Sequence, residues 1–217
     1  MARRRAGRDS TDTPADREER IVRLAPSQQR SRARFEQILA CAVDLMAEKG
    51  SDAFKMSDIV ERTGIAFGSL YQYFPDKTAV IGTLAERYNA IGRDCVRKEL
   101  TRFETLDDLQ SVLGRITDSY YQFFIDEPVA RDIWHATQAD RALQALDAED
   151  FTVLTGLLIQ ALQPLAPQLR GKTLDEFCQL MMVLIAAAVR HAVTLPPKDG
   201  RRALARFKQL LPRTIEG

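Results

Sequence analysis

The sequence predicts an all-α protein, and two patterns carry that prediction. Apolar residues recur at intervals of three and four along most of the 217-residue chain, which is the spacing of one buried helix face. No segment of useful length alternates apolar and polar residues as a half-buried strand does. Helix breaks are expected at Gly50, Gly64 and Thr105, and again near Pro128, Pro164 to Pro167 and Pro196–Pro197. We therefore expect a three-helix N-terminal domain of the helix-turn-helix type, followed by a larger helical C-terminal domain.

The composition is that of an ordinary globular chain. Hydrophobic residues make up 45% and charged residues 28%, with a net charge of +1, which is typical of a domain with a sizeable core. The longest apolar run, residues 180–189, has ten residues, whereas roughly 20 are needed to cross a bilayer. No apolar signal segment follows the N-terminal arginines. We expect a soluble, cytoplasmic protein.

Three cysteines lie far apart, at Cys41, Cys95 and Cys178, in no spacing that a metal site uses. This pattern indicates small buried hydrophobes in a reducing compartment. Cys95, between Arg93 and Arg97, is the only candidate for a redox-sensitive thiol. We predict no metal and no cofactor.

Residues 1–30 form the predicted N-terminal arm. They are rich in Arg, Asp, Ser and Pro and show no sustained period, so they have too little apolar surface to offset the entropy of ordering, and we expect disorder. Residues 1–34 hold ten Arg against five acidic residues. Two interpretations stay open: Arg3, Arg4 and Arg5 enter a minor groove of DNA, or the arm is a solvated tail.

The first predicted helix spans residues 31–49 and ends at Gly50. Its apolar stripe is Phe35, Ile38, Leu39, Ala42, Leu45 and Met46, the pattern of an amphipathic scaffold helix. Arg32 and Arg34 stand at its start, where they either contact DNA phosphates or are simply solvated.

Residues 56–77 carry the clearest local signal, two short helices joined by a tight turn. Ser57 is expected to cap the first helix, and Gly64 to end it with a positive φ. In the second helix, Leu70 and Phe74 lie four apart on an inward face. The outer face is too aromatic and too polar for a core, and it suits a major groove. Its residues are Phe67, Ser69, Tyr71, Gln72 and Tyr73.

Residues 35–80 resemble the N-terminal domain of the tetracycline-repressor (TetR) family of bacterial transcriptional regulators. The matching motif positions are Ser57, Gly64, Ile65, Gly68, Leu70, Tyr71, Tyr73, Phe74 and Lys77. One position departs, because Ala66 stands where the family usually has Ser or Thr, and this removes a cap worth about 1 kcal/mol. Lys77 follows Asp76, an expected N-cap, and could bind a phosphate at a helix start. The residues expected to contact DNA are Ser57, Ala66, Phe67, Gly68, Ser69, Tyr71, Gln72, Tyr73, Lys77, Arg32 and Arg34.

The resemblance also implies the layout of the chain. The helix-turn-helix domain is expected over residues 31–77, and an effector-binding and dimerisation domain over 78–217. A long helix from Asp76 to about Leu100 would join the two and transmit a change in the effector domain to the DNA-reading helix. Further helices are expected over 106–126, 127–146, 151–162, 173–195 and 198–211.

A set of aromatic side chains in the C-terminal half is either core or the lining of a ligand pocket. Polar tips among apolar neighbours are typical of ligand pockets, and they favour a small, mostly apolar effector. The residues expected to line the pocket are Tyr120, Phe124, Trp134, His135, Gln138, Phe177 and Met181. No metal partner lies at ligand spacing from His135.

The segment 173–195 is apolar on nearly every side, so it must be covered on every side. Its own domain can cover one face, and a second copy of the chain would cover the other. The residues expected at this homodimer interface are Leu180, Leu184, Val189, Leu204, Phe207 and Leu211.

These features together predict a DNA-binding regulator, most simply a repressor that a small effector releases from a palindromic operator. The alternative is a DNA-binding dimer with no effector, in which the C-terminal domain serves only dimerisation. An enzyme is disfavoured, since the chain has two histidines, His135 and His191, and neither a nucleophile motif nor a phosphate-binding loop.

Overall fold

The structure is a computed structural model, and it describes the backbone of residues 14–169 and 171–215 and the side chains from residue 28 onward in the same ranges. These ranges contain nine α-helices and one short 3-10 turn, with no strand, so the predicted all-α class is confirmed. The helices are α1 (Pro14–Ala53), α2 (Met56–Thr63), α3 (Phe67–Tyr73), α4 (Lys77–Leu100), α5 (Leu109–Asp126), α6 (Val129–Ala139), α7 (Arg141–Leu162), α8 (Lys172–Ala192) and α9 (Pro197–Leu210).

Helix α1 corrects the expected disorder of residues 1–30. The helix begins at Pro14, so residues 14–30 are helical and continuous with the predicted scaffold helix. Extending an existing helix avoids the cost of nucleation, and this segment is rich in Arg and also contains Glu, Gln and Ala, which are strong helix formers. Residues 1–13, including the three arginines proposed for a minor groove, lie outside the described residues. At the other end, Gly50 breaks the regular helix with φ 82°, as predicted.

The N-terminal half closes around one apolar core. Its largest fully buried side chains include Phe54, Phe74, Met46 and Leu70. The same core extends into α4 through Val80 and Leu84 and into α6 and α7 through the residues Val129, Ile133, Ala136 and Leu143. The helix-turn-helix is therefore packed directly against the C-terminal half, and α4 belongs to both.

A second core joins α5, α7, α8 and α9, with buried Leu113, Leu158, Cys178 and Ile185 among its members. The predicted break between helices in the middle of this half is displaced, because α6 ends at Ala139 and α7 runs unbroken from Arg141. Asp140 fixes that boundary as an N-cap, since its Oδ1 accepts the amide of Ala142 at 2.8 Å. Within the described residues, no helix is long and apolar enough to cross a membrane.

The cysteines behave largely as small hydrophobes. Cys41 and Cys178 are buried, as expected, and Cys95 is partly exposed. Burial raises the pKa of the Cys95 thiol and raises the pKa of Cys178 to about 12, which disfavours the reactive thiolate. The part of the chain that is described contains no cluster of three or more His, Cys, Asp or Glu able to hold a metal ion.

Candidate functional site

The outer face of α3 presents two aromatic rings to solvent. The side chains of Phe67 and Tyr71 are 50% and 48% exposed, and their rings stack with centroids 6.4 Å apart. On the opposite face of the helix, Leu70 and Phe74 are almost completely buried, as the spacing predicts. Packing among the described residues does not account for the two outer rings, so this face is available to a partner.

The neighbouring residues of α3 are tied to α1. The Nη1 group of Arg34 donates to Ser69 Oγ at 3.2 Å, and the hydroxyl groups of Tyr73 and Ser31 lie 3.0 Å apart. Tyr73 is half-buried, with its ring 6.3 Å from that of Phe35. These contacts fix the orientation of α3 on the scaffold helix. Arg32, Gly68 and Gln72 remain exposed, where sequence reasoning expected them to be accessible to DNA.

The turn before α3 has the predicted geometry. Gly64 caps α2 in the left-handed region with φ 69°, and its amide donates to the Val60 carbonyl. Ala66 occupies the N-cap position of α3 and provides no side-chain cap, as its methyl group dictates.

Two predicted roles near this surface are corrected. Helix α2 begins one residue before Ser57, so Ser57 is not its N-cap; instead Asp58 Oδ2 accepts the amide of Lys55 at 3.1 Å. The Lys77 ammonium does not face outward as a phosphate ligand. It donates to the carbonyl groups of Ser51 and Asp52, each at 2.9 Å, and of Phe54 at 3.3 Å. Lys77 therefore holds the end of α1 against the start of α4.

A cavity of about 110 Å³ lies in the C-terminal half, between α4, α5, α6, α7 and α8. Most of its wall is aromatic and aliphatic. The lining residues are Ala85, Tyr88, Asn89, Gly92, Val96, Ile116, Tyr120, Phe123, Phe124, Ala130, Ile133, Trp134, Thr137, Asp147, Asp150, Phe151, Leu154, Met182, Ile185, Ala186 and Arg190. An apolar wall with a few polar groups is typical of a small-molecule site.

Three of the seven predicted pocket residues, Tyr120, Phe124 and Trp134, line this cavity. The other four lie elsewhere. His135 and Gln138 are on the exposed side of α6, because α6 turns only the Trp134 and Thr137 side inward. Phe177 and Met181 pack instead into the second core.

The polar groups of the cavity were missed by sequence reasoning, and they include one arginine and two aspartates. The guanidinium of Arg190 stacks 4.5 Å from the centre of the Trp134 ring. Asp150 is paired with Arg93, and Asp147 Oδ2 accepts the hydroxyl of Thr137 at 3.0 Å. Arg190 directly follows the apolar run 180–189 of α8. A charged residue at that place in the sequence is the signal that could have identified it.

Burial governs the ionisation of these carboxyls. Desolvation raises the pKa of Asp147, and the hydrogen bond from Thr137 and the charge of Arg190 offset only part of that rise. Desolvation also raises the pKa of Asp150 despite the Arg93 ion pair. The cavity thus already disfavours negative charge.

The predicted dimer residues divide into two groups. Leu180 and Leu184 are 53% and 40% exposed, and Val183 between them is 48% exposed, so α8 carries an uncovered apolar stripe. Val189, Leu204 and Leu211 are instead buried within the chain, and Phe207 packs against the second core. The prediction that Val189, Leu204, Phe207 and Leu211 lie at the interface is therefore wrong, because α9 and the end of α8 turn these side chains toward their own domain.

The chain matches two family models in succession. Residues 38–83 match the model described as "Bacterial regulatory proteins, tetR family". Residues 107–216 match the model described as "Tetracyclin repressor-like, C-terminal domain". The two matches correspond to the helix-turn-helix half and the cavity-bearing half.

Among curated proteins, the chain is 40% identical over 88 residues to the HTH-type transcriptional regulator YvdT of Bacillus subtilis (strain 168), covering 41% of this chain and 44% of YvdT. It is 32% identical over 85 residues to the HTH-type transcriptional repressor KstR of Rhodococcus jostii (strain RHA1), covering 39% of each protein. The aligned part thus spans less than half the length of these relatives.

Solved structures show the same fold at low identity. A TetR-family transcriptional regulator from Pectobacterium atrosepticum superposes with a TM-score of 0.63 at 18% identity, covering 84% of this chain and 92% of that one. The regulator FadR from Bacillus subtilis, in complex with stearoyl-CoA, superposes with a TM-score of 0.59 at 17% identity, covering 81% and 94%. The two family models cover residues 38–83 and 107–216, and this protein belongs to the TetR family of DNA-binding, helix-turn-helix transcriptional regulators.

Proposed function

We propose that this chain is a homodimeric repressor that binds a near-palindromic operator through α3 and is released by a small molecule bound in the C-terminal cavity. The observation that carries the proposal is the stacked, half-exposed pair Phe67 and Tyr71 on a helix whose other face is buried. Such rings offer apolar contact to thymine methyl groups in a major groove. The relative KstR, described as a repressor, supports the repressor role through a match that covers 39% of each protein.

Positioning on the duplex would come from the groups around α3. Arg32 and Arg34 stand on α1 at the edge of the same surface, and Arg34 already reaches Ser69 on α3. Such side chains suit phosphate contacts that fix register without reading sequence. Arg34 would then both contact a phosphate and hold α3 in its orientation through the hydrogen bond to Ser69.

Dimerisation would use the apolar stripe of α8. Leu180, Val183 and Leu184 follow the i, i+3, i+4 spacing of one helix face, and all three are at least 40% exposed. A twofold-related copy of α8 would cover this stripe and set two α3 helices about 34–36 Å apart, one turn of B-DNA.

Helix α4 is the element that would carry an effector signal. Its middle lines the cavity through Tyr88, Asn89 and Gly92, and its start is tied to the end of α1 by Lys77. Arg87 on the same helix makes a bidentate ion pair with Glu36 of α1, both contacts at 2.6 Å. A ligand that displaces Tyr88 would therefore move the scaffold of α3.

The size of such an effect is bounded by thermodynamic linkage. An effector shifts the DNA equilibrium only by its difference in affinity for the two conformations. Coupling of about 1–3 kcal/mol, typical of such systems, would change operator affinity roughly 5- to 150-fold. FadR, which is bound to stearoyl-CoA in its structure, supports the use of this fold for holding a small molecule.

The DNA part is tested by selecting bound duplexes from random DNA at fixed salt. The wild type should enrich a palindromic motif, and Tyr71→Ala should lose it. Ile91→Ala is the matched control, because Ile91 is also an exposed large apolar residue but lies on α4, away from α3. Loss of the motif in the control, or its retention in Tyr71→Ala, would contradict the assignment of α3 as the reading helix.

The dimer part is tested by the double variant Leu180→Glu with Leu184→Glu. Charge on the stripe should convert the dimer to a monomer in sedimentation and remove palindrome binding. Ile125→Glu adds charge at a similarly exposed position on α5 and should leave the dimer intact. A double variant that stays dimeric would show that the interface lies elsewhere.

A further inference from the structure

We infer that the cavity binds a compact, uncharged aromatic compound carrying a hydrogen-bond acceptor, with the acceptor held by the indole N–H of Trp134 and the Nε–H of Arg190. This inference rests on the proposed function, because it names the chemistry of the proposed effector. Three features of the cavity carry it: its size, its unpaired donors and its charge balance.

The size of the cavity limits the ligand to about one ring. An interior volume of about 110 Å³ is somewhat smaller than an engineered apolar cavity of about 150 Å³ that holds one benzene molecule. The wall suits an aromatic ring, since Tyr120, Phe123 and Phe124 form a cluster with centroid distances of 5.0–6.4 Å. Rings prefer such edge-to-face and offset neighbours.

Two buried donors mark where the polar end of the ligand sits. Trp134 Nε1 and Arg190 Nε are both buried and have no hydrogen-bond partner among the described residues. They are neighbours, because the Arg190 guanidinium carbon lies 4.5 Å from the centre of the Trp134 ring. Both residues line the cavity; an unpaired buried donor is costly, and a ligand acceptor that reaches both N–H groups relieves the cost of both. A carbonyl oxygen has the two lone pairs that this arrangement requires.

The charges around the cavity are already matched within the protein. Asp150 is paired with Arg93, and Asp147 receives hydrogen bonds from Thr137 and Gln138 and lies near the charge of Arg190. An anionic ligand would add a third negative charge beside two carboxyls that are already destabilised by burial. A cationic ligand would compete with Arg190 for Asp147. A neutral ligand disturbs neither pair.

Four matched probes test the inference on the full-length protein: acetophenone, ethylbenzene, benzoate and benzylamine. Binding is followed by the fluorescence of Trp134, which is the only tryptophan in the chain, and by calorimetry. Two hydrogen bonds to one acceptor predict that acetophenone binds at least about five- to tenfold more tightly than ethylbenzene. Benzoate and benzylamine should each bind at least about tenfold more weakly than acetophenone. Tighter binding of either charged probe overturns the inference.

A pair of variants then locates the acceptor. Trp134→Phe keeps an aromatic ring and removes one of the two donors, so calorimetry should show the acetophenone-to-ethylbenzene affinity ratio falling about five- to tenfold, with the Arg190 donor retained. Phe124→Leu alters only the apolar wall and should weaken both probes by similar factors. If Trp134→Phe leaves the acetophenone-to-ethylbenzene ratio unchanged, the donor role is wrong.

A measurement of operator binding separates this inference from the proposed function. It uses fluorescence anisotropy of the duplex that the protein enriches from random DNA. Acetophenone that binds the cavity without lowering DNA affinity supports the inferred chemistry and contradicts the effector role. A protein that binds the operator but none of the four probes overturns the inference and leaves the DNA-binding proposal standing. That result would favour a dimer with no effector.

Discussion

Substituting Lys77 by Met decides between a structural and a DNA-binding role for this residue. Methionine keeps most of the apolar stem and removes the ammonium, which donates to three main-chain carbonyls at the end of α1. A hydrogen bond to a charged group contributes about 1.5–3 kcal/mol net. The Asp52 carbonyl contact is exposed and water can replace it, whereas those of Ser51 and Phe54 are partly buried.

Counting only those two partly buried carbonyls, and allowing that a single ammonium serves both, we expect Lys77→Met to lose about 2–4 kcal/mol of unfolding free energy. The ammonium also lies 5.0 Å from the centre of the Phe54 ring, a contact worth about 0.5–1 kcal/mol at a partly exposed site. The assay is urea-induced unfolding monitored by circular dichroism. The dependence of the unfolding free energy on urea concentration should not change.

The control is Lys55→Met, because Lys55 is an exposed lysine at the start of α2, where substitution should change stability by less than about 0.5 kcal/mol. A second readout separates the two roles. Each phosphate contact contributes about 0.9 to the slope of log affinity against log salt, and the structural role predicts an unchanged slope for folded Lys77→Met. A slope flattened by about 0.9 with stability intact would refute the structural account.

Three further predictions concern packing and ionisation. Gly200→Ala places a Cβ 2.5 Å from a main-chain oxygen of α8 and should lower the unfolding free energy by about 1–3 kcal/mol. Gly156→Ala places a Cβ with nothing within 4 Å and should raise the unfolding free energy by about 0.5–1 kcal/mol. Urea unfolding measures both changes. Phe74→Ala empties a site that is 2% exposed and should lower the unfolding free energy by about 3–5 kcal/mol, while Phe67→Ala should change it little. Burial raises the pKa of Asp147 above its usual 3.8, so the native state holds that proton more tightly than the unfolded chain does. Wild type should therefore lose stability relative to Asp147→Asn as the pH rises above about 4 and through the raised native-state pKa, and a difference independent of pH would contradict this.

The helix-turn-helix could be predicted because its signals are local. The four-residue interval between Leu70 and Phe74, with Phe67 and Tyr71 on the outer side, fixes which face of α3 is buried. Gly64 ends α2 where only a residue tolerant of positive φ fits. The error at Lys77 arose because its role depends on residues far away along the chain. Lys77 reaches carbonyls 23 to 26 residues earlier, which neighbouring residues do not encode.

The sequence by itself determined that the chain is helical, that residues 56–77 carry an outward aromatic face, and that α8 has more apolar surface than its own domain covers. Only the tertiary structure decided which apolar residues of α8 are covered. Leu184 and Val189 are five residues apart, about 140° around the helix, and one is exposed while the other is buried. A helix that is apolar on nearly every side contains no hydropathy signal that distinguishes these faces. The cavity is likewise a tertiary product, because Tyr88, Trp134 and Arg190 come from three helices whose rotations are set by packing against one another.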